Sequence, residues 1–340
     1  MATYRQLKGY NIKSVTSDPS NIKEGQLWYN SVALKIKGGV NIGGAWASAN
    51  NSNTLSEGPA SFGDKTALVS VGGYGPSGPS NAHSDAVEEY DGTNWSNATD
   101  YPSNCYAGQG NGTLTAGILS GGNSGGSTFL NASTYYNGTS WTAGPNMVKA
   151  RSGSASSLGT QTAAIHFGGY DDASPLAGRD ETEEFNGTAW SEQSDLSTGR
   201  AHGGSAGTQT AAVYFCGETT NSGTFDPRSP NTTEEYDGSS WTNGGTVPAR
   251  YVRLNGSGIQ TACFRIGGSN PSGVSSTTDL YNGTSWSSAP SLGSAQNWAN
   301  SGGGGSTDSI IGRGRGSSSY TNVTQEYTDP TISARSVDVS

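Results

Sequence analysis

Residues 88–95 read Glu-Glu-Tyr-Asp-Gly-Thr-Asn-Trp, and the phrase returns four more times. It becomes Thr134-Tyr-Tyr-Asn-Gly-Thr-Ser-Trp141, Glu183-Glu-Phe-Asn-Gly-Thr-Ala-Trp190, Glu234-Glu-Tyr-Asp-Gly-Ser-Ser-Trp241 and Asp279-Leu-Tyr-Asn-Gly-Thr-Ser-Trp286. The aromatic ahead of the turn sits at Tyr90, Tyr136, Phe185, Tyr236, Tyr281 and finally Tyr327, a spacing of 45 to 51 residues. Repetition at this period points to a closed repeat architecture. The phrase itself reads as two short strands around a tight turn, because Asn-Gly and Asp-Gly supply the positive φ that such turns demand.

Upstream of each copy lies a short apolar run ending in glycine, as in Ala67 to Gly73, Ala116 to Gly122, Ala163 to Gly169, Ala211 to Gly217 and Ala262 to Gly268, with a weaker Ser309 to Arg313. A small-residue run such as Ser152 to Ser157 or Ala201 to Ala206 precedes that in turn. Each unit is thus four strands: small-residue, Gly-Gly, Tyr and Trp. Four antiparallel strands in this length match a β-propeller blade. Glycine suits the crowded inner end of a narrow blade.

The order Gly-Gly, tyrosine, Asn/Asp-Gly and tryptophan resembles the kelch repeat, and Arg151 and Arg200 stand where that repeat opens on arginine. Cys216 and Arg313 depart from it by replacing glycines, and no tryptophan follows Tyr327. One period before Trp95 lies Trp46, in Val40-Asn-Ile-Gly-Gly-Ala-Trp46. The expected fold is therefore all-β: a six-bladed kelch-like β-propeller, closed by N- and C-terminal strands so that no sheet edge is left free. The expected domains are a short N-terminal appended segment, residues 1–37, and a propeller over residues 38–340. In the propeller, the Trp46 strand completes the blade of Tyr327.

Composition narrows the function. Only 31% of residues are hydrophobic and 52 are glycine, which by itself would suggest disorder, yet eight tryptophans and sixteen tyrosines recur in register. Aromatic side chains bury enough area to fill the thin cores between blades. A net charge of −9 with 18 basic residues and no basic stripe argues against nucleic acid. Cys105, Cys216 and Cys263 fit no zinc spacing and read as buried free thiols. Met1 to Tyr10 is polar and basic, and no apolar run spans a membrane. Neither a signal peptide nor membrane insertion is expected, and synthesis is placed in a cytoplasm.

The N-terminal wording Asp18-Pro-Ser-Asn-Ile-Lys-Glu-Gly-Gln-Leu-Trp-Tyr-Asn30 leads into Val32 to Lys37, a plausible hairpin. Together with Gly-Ala-Trp46 it resembles the start of virion structural proteins of marine tailed phages, notably cyanophages, which carry kelch-like repeats rich in Tyr-Asn-Gly-Thr-Ser-Trp. The ending Ile332-Ser-Ala-Arg-Ser-Val-Asp-Val339 resembles the same group. The resemblance implies a non-enzymatic structural protein of the bacteriophage virion, made in the host cytoplasm. It would be joined to other virion proteins through its N-terminal segment, as a homo-oligomer or not. The first reading is a tail-fibre or spike head for host attachment, binding a surface glycan or protein. A capsid or neck decoration protein is the alternative, and a carbohydrate-active enzyme on a kelch scaffold is the alternative of another class.

Strand alternation puts the connections between strands two and three, and those between blades, on one face. These loops vary in length (Tyr74 to Ala86, Asn123 to Ser133, Tyr170 to Thr182, Glu218 to Thr233, Ser269 to Thr278, Gly314 to Asn322), and rigid scaffolds present function on such loops. Candidate ligand-binding residues there are Tyr74, Tyr170, Asp171, Asp172, Arg179, Phe225, Asp226, Arg228, Arg315 and Tyr320, the aromatics as exposed platforms for stacking sugar rings. Arg313 and Arg315, in Gly-Arg-Gly-Arg-Gly, suggest a small anion nest. The repeated Glu-Glu pairs do not make a glycosidase, since adjacent strand residues face opposite ways. His83, His166 and His202 lie in separate repeats without ligand spacing, so no metal and no cofactor are expected.

Overall fold

A computed structural model describes residues 12–23, 26–42, 44–77, 80–125, 128–153, 159–171, 177–220, 229–305, 308–328 and 331–336. Among these residues the regular structure is all strand, and no helix is long and apolar enough to cross a membrane. The chain forms two compact units, one from 1–45 with 328–340, the other Trp46–Tyr327.

The larger unit is built from six four-stranded sheets of antiparallel neighbours in a propeller-like arrangement. Sheet one comprises Ala60–Asp64, Ala67–Ser77, Ser80–Tyr90 and Trp95–Asn97. Sheets two to five repeat that order, down to Asn255–Ile259, Ala262–Ile266, Thr278–Tyr281 and Trp286–Ala289 in sheet five. Sheet six takes Asn300–Gly305, Asp308–Gly312 and Gln325–Thr328, and its fourth strand is Ala45–Ser48, from the far end of the chain. First strands touch their successors throughout, and the first strand of sheet six touches that of sheet one.

The repeated phrase explains each sheet's outer half. Asn137 Oδ1 accepts the backbone N–H groups of Thr139 and Ser140 at 3.0 and 2.8 Å, and Gly138 takes φ 91°. That turn brings Trp141 onto Tyr136, with ring centroids 4.4 Å apart. The same pairing recurs as Tyr90–Trp95, Phe185–Trp190, Tyr236–Trp241 and Tyr281–Trp286. At the inner end the glycines are needed for space, since a Cβ on Gly72 would lie 2.1 Å from the Cys105 carbonyl oxygen. Cys216 and Arg313 nevertheless hold the positive φ of the glycines they replace, at 57° and 23°. Cys105, Cys216 and Cys263 are buried and free, and burial pushes the Cys216 thiol up to about 11.

Apolar cores lie between successive sheets. Phe62, Val69, Leu119 and Tyr136 fill the first gap, and Trp46, Phe264, Ile311 and Tyr327 fill that between sheets five and six. Leu68, Tyr90, Trp95 and Ile310 fill the gap between sheets six and one. The Glu-Glu pairs divide as strand geometry requires. Glu183 and Glu234 are buried against Arg151 and Arg200 at 2.5 and 3.0 Å. The second glutamate of a pair turns to the next sheet: Glu89, beside Glu88, and Glu235, beside Glu234, accept the hydroxyls of Tyr136 and Tyr281 of the following sheets at 2.6 and 2.5 Å.

The smaller unit is one sheet of Lys13–Val15, Leu27–Asn30, Lys35–Ile42 and Thr331–Ser336. Its hairpin is tied by Asp18. One carboxylate oxygen accepts from Trp28 Nε1 (3.0 Å) and Asn30 Nδ2 (2.8 Å), and the other meets Lys37 Nζ at 2.6 Å. These hydrogen bonds, with Lys37 first, lower the Asp18 carboxyl to about 2.

The variable connections are less irregular than expected. Tyr74 to Ala86 is not a loop: strands two and three of sheet one run on to Ser77 and return from Ser80 after a register shift between Val71 and Gly73. Short hairpins also occupy Ser269–Val274 and Gly314–Thr321.

Candidate functional site

One residue from each connection entering a sheet meets its counterparts in a closed circuit of backbone hydrogen bonds. The N–H of Ala107 donates to Gly58 O (2.7 Å), Gly153 to Ala107 O (2.9 Å) and His202 to Gly153 O (2.7 Å). Arg253 donates to His202 O (2.7 Å), Trp298 to Arg253 O (3.0 Å), and Gly58 to Trp298 O (2.6 Å). All six take positive φ, from 49° to 76°, which aims each N–H at the preceding repeat. Glycine does this freely, but Ala107, His202, Arg253 and Trp298 each bear strain of about 1–3 kcal/mol.

The large side chains fall on one half of this hub. His202, Arg253 and Trp298 are consecutive around it, opposite Gly58, Ala107 and Gly153. His202 packs on Trp298 with centroids 4.2 Å apart, and the Arg253 guanidinium lies 5.3 Å over the indole. The small half leaves a cavity of about 50 Å³ lined by Gly58, Ala107, His202, Arg253, Asn255 and Trp298. That is room for a few waters or one polar substituent.

Two buried carboxylates neutralise the two arginines. Glu218, without solvent exposure, lies 2.6 Å from His202 Nδ1 and 3.7 Å from Arg253. A carboxylate only accepts, so Nδ1 carries the proton of the neutral ring. Nε2 then faces Gly153, where an added Cβ would stand 2.4 Å from it. Burial lowers the pKa of His202, with Glu218 opposing. Glu57 meets Arg315 at 3.3 Å; burial raises its carboxyl and Arg315 draws it back.

A continuous aromatic cluster caps this end. Tyr320 packs on Tyr74, Tyr74 on Tyr106, Tyr106 on Trp298, Trp298 on His202 and His202 on Tyr170, at centroid distances from 4.2 to 6.3 Å. His83 joins it between Tyr74 and Tyr106. Tyr74, Tyr106, Trp298 and Tyr320 are half-buried.

Of the residues picked out from sequence, Tyr74, Tyr170, Arg315 and Tyr320 come together here. Tyr170 is not the exposed platform expected. It is 2% exposed, because its backbone pairs with Ser152 and turns the ring inward onto His202. Asp171 and Arg179 pair with each other at 2.5 Å. Asp172, Phe225, Asp226 and Arg228 lie outside the described residues. The anion nest does not form: Arg313 is buried against Glu88, Gly72 O and Ser70 O, leaving only Arg315 exposed. Among the described residues no group of three His, Cys, Asp or Glu could hold a metal.

Sequence reasoning passed over Tyr106, His202, Glu218, Arg253 and Trp298 as site residues. Their signal is positional: each hub residue stands about fourteen places before the first residue of its Gly-Gly pair. That column, read down the repeats, changes from Gly, Ala and Gly to His, Arg and Trp.

No protein-family model and no curated protein sequence matches the chain.

Proposed function

We propose that Trp46–Tyr327 is a closed six-bladed β-propeller, and that the protein is a non-enzymatic virion component using its variable-loop face to bind a host-surface glycan or protein. The cyclic contact of first strands and the circuit of hub hydrogen bonds support the closed ring. The observation that carries the binding reading is the hub's asymmetry. Three large side chains are held in strained backbone where glycine would be relaxed, and strain of this kind gathers at functional sites. The half-buried aromatics around them give an apolar rim with a few fixed polar groups, the usual make-up of a ligand site.

The virion setting rests on the resemblance of the N-terminal wording, and the residues of that wording (Asp18, Trp28, Asn30) are those that knit the smaller unit. A folded element of this kind suits attachment to other virion proteins. Cryo-electron microscopy of intact particles tests the reading. Density at a fibre or tail tip with the variable loops outward is the expected result. Density on capsid or neck with those loops packed on other proteins would make the protein a decoration and overturn host binding.

A further inference from the structure

We infer that the hub mouth is a site for an uncharged sugar, which stacks on the Trp298–Tyr106 rim and sends one hydroxyl-bearing arm into the hub cavity. This deepens the host-binding reading and rests on it for the biological source of the sugar, though not for the chemistry.

Three observations converge. The rim is aromatic and half-buried, and the apolar face of a pyranose stacks on such rings. The cavity beneath is lined by a residue with an unmet donor. Asn255 is 8% exposed, lines the cavity and leaves its Nδ2 without a hydrogen-bond partner. A sugar hydroxyl accepts such a hydrogen bond. The charges exclude an ionic ligand. Arg253 faces Glu218 and Arg315 faces Glu57, so the site is locally neutral, and the chain's net −9 repels polyanions.

The backbone makes the test clean. Trp298 and Arg253 hold φ 49° and 57°, where Gly58 and Gly153 already serve the same turn. Trp298→Gly and Arg253→Gly therefore keep the hub hydrogen bonds while removing the side chains. The full chain is screened on immobilised neutral hexoses and N-acetylhexosamines, with uronate and sialylated sugars beside them. The best free sugar is then titrated by calorimetry.

Binding of neutral sugars is expected. Each glycine variant should lose about tenfold or more in affinity, the equivalent of one good contact; Trp298→Gly should keep its Tm within about 4 °C of the parent, whereas Arg253→Gly, which strands the buried Glu218, should lose more. Thr139→Ala, in an exposed outer turn of sheet two, should bind unchanged. Binding confined to acidic sugars, no binding of any neutral sugar at millimolar concentration, or undiminished affinity in Trp298→Gly would each overturn the inference. Labelled protein that still adheres to host cells in those cases leaves host attachment standing. Sugar binding without adhesion removes host attachment and keeps the sugar site.

Discussion

The joint between sheets three and four and the joint between sheets six and one use the same contacts, although one connects neighbours along the chain and the other its two ends. At the first, Trp241 Nε1 donates to Thr182 Oγ1 at 3.0 Å. At the second, Trp95 Nε1 donates to Thr324 Oγ1 at 2.9 Å, across 229 positions. Tyr90 donates to Glu326 across 236 positions, as Tyr281 donates to Glu235 between sheets five and four. Loop-closure entropy rises by only about 0.6 kcal/mol per doubling of length, so the distant joint is only slightly disfavoured. Register, rather than chain connectivity, sets these contacts.

One part differs. In sheet four the buried carboxylate Glu234 is met by Arg200, from the connection entering its own sheet. In sheet one Ser56 stands in that connection, and Glu88 is met by Arg313, reaching over from sheet six to donate also to Ser56 Oγ and Gly72 O. Sheet five shows a third solution: Arg265 on its own second strand meets Asp279 at 2.7 Å and lies 3.8 Å over Tyr251. A buried carboxylate has to be paired, and the guanidinium arrives from whichever element can reach it.

The largest effect should come from the aromatics that fill the gaps. Trp46→Ala and Trp190→Ala, 9% and 7% exposed, should each cost about 3–5 kcal/mol in denaturant unfolding. A loss below about 1 kcal/mol for Trp46 alone would mean that its strand does not complete sheet six. Arg313→Met strands Glu88 and Arg200→Met strands Glu234, each for about 3 kcal/mol. Only Arg313→Met should also speed amide exchange on both sides of the six–one joint; equal, purely local effects would erase the distinction. Tyr90→Phe and Tyr281→Phe each remove a hydrogen bond to a carboxylate, for about 1.5 kcal/mol. A much smaller loss for Tyr90 would mark the distant joint as looser.

The pH dependence should be smaller and should separate the two units. Burial lowers the pKa of His202 and His166, so below about pH 6.5 the unfolded chain takes up protons that the folded chain refuses. That contribution is full above pH 6.5 and is lost as pH falls. The Asp18 contribution in the smaller unit is present above the ordinary carboxylate range and lost only as pH falls toward about 2. Trp28 fluorescence responding at pH 6 would contradict that separation.

The sheets were legible because their signals are local. Asn137-Gly138 fixes a turn within four residues, and Trp141 returns onto Tyr136 five residues away. The hub was not, because its members are one residue per repeat and of unlike types. Gly58 and Trp298 share a role only through a hydrogen bond spanning the whole set of sheets. Arg313 misled for the same reason: its sequence neighbours are glycines, whereas its partner Glu88 belongs to the first repeat.

That bond is also where the proposed closure of the sheets into a ring is most directly tested, by hydrogen exchange of the Gly58 amide under native conditions. Protection matching that of the Gly153 and His202 amides is expected, since all three donate to hub carbonyls at 2.6 to 2.9 Å. Exchange as fast as an exposed turn amide such as Gly138 would mean that sheets six and one do not join.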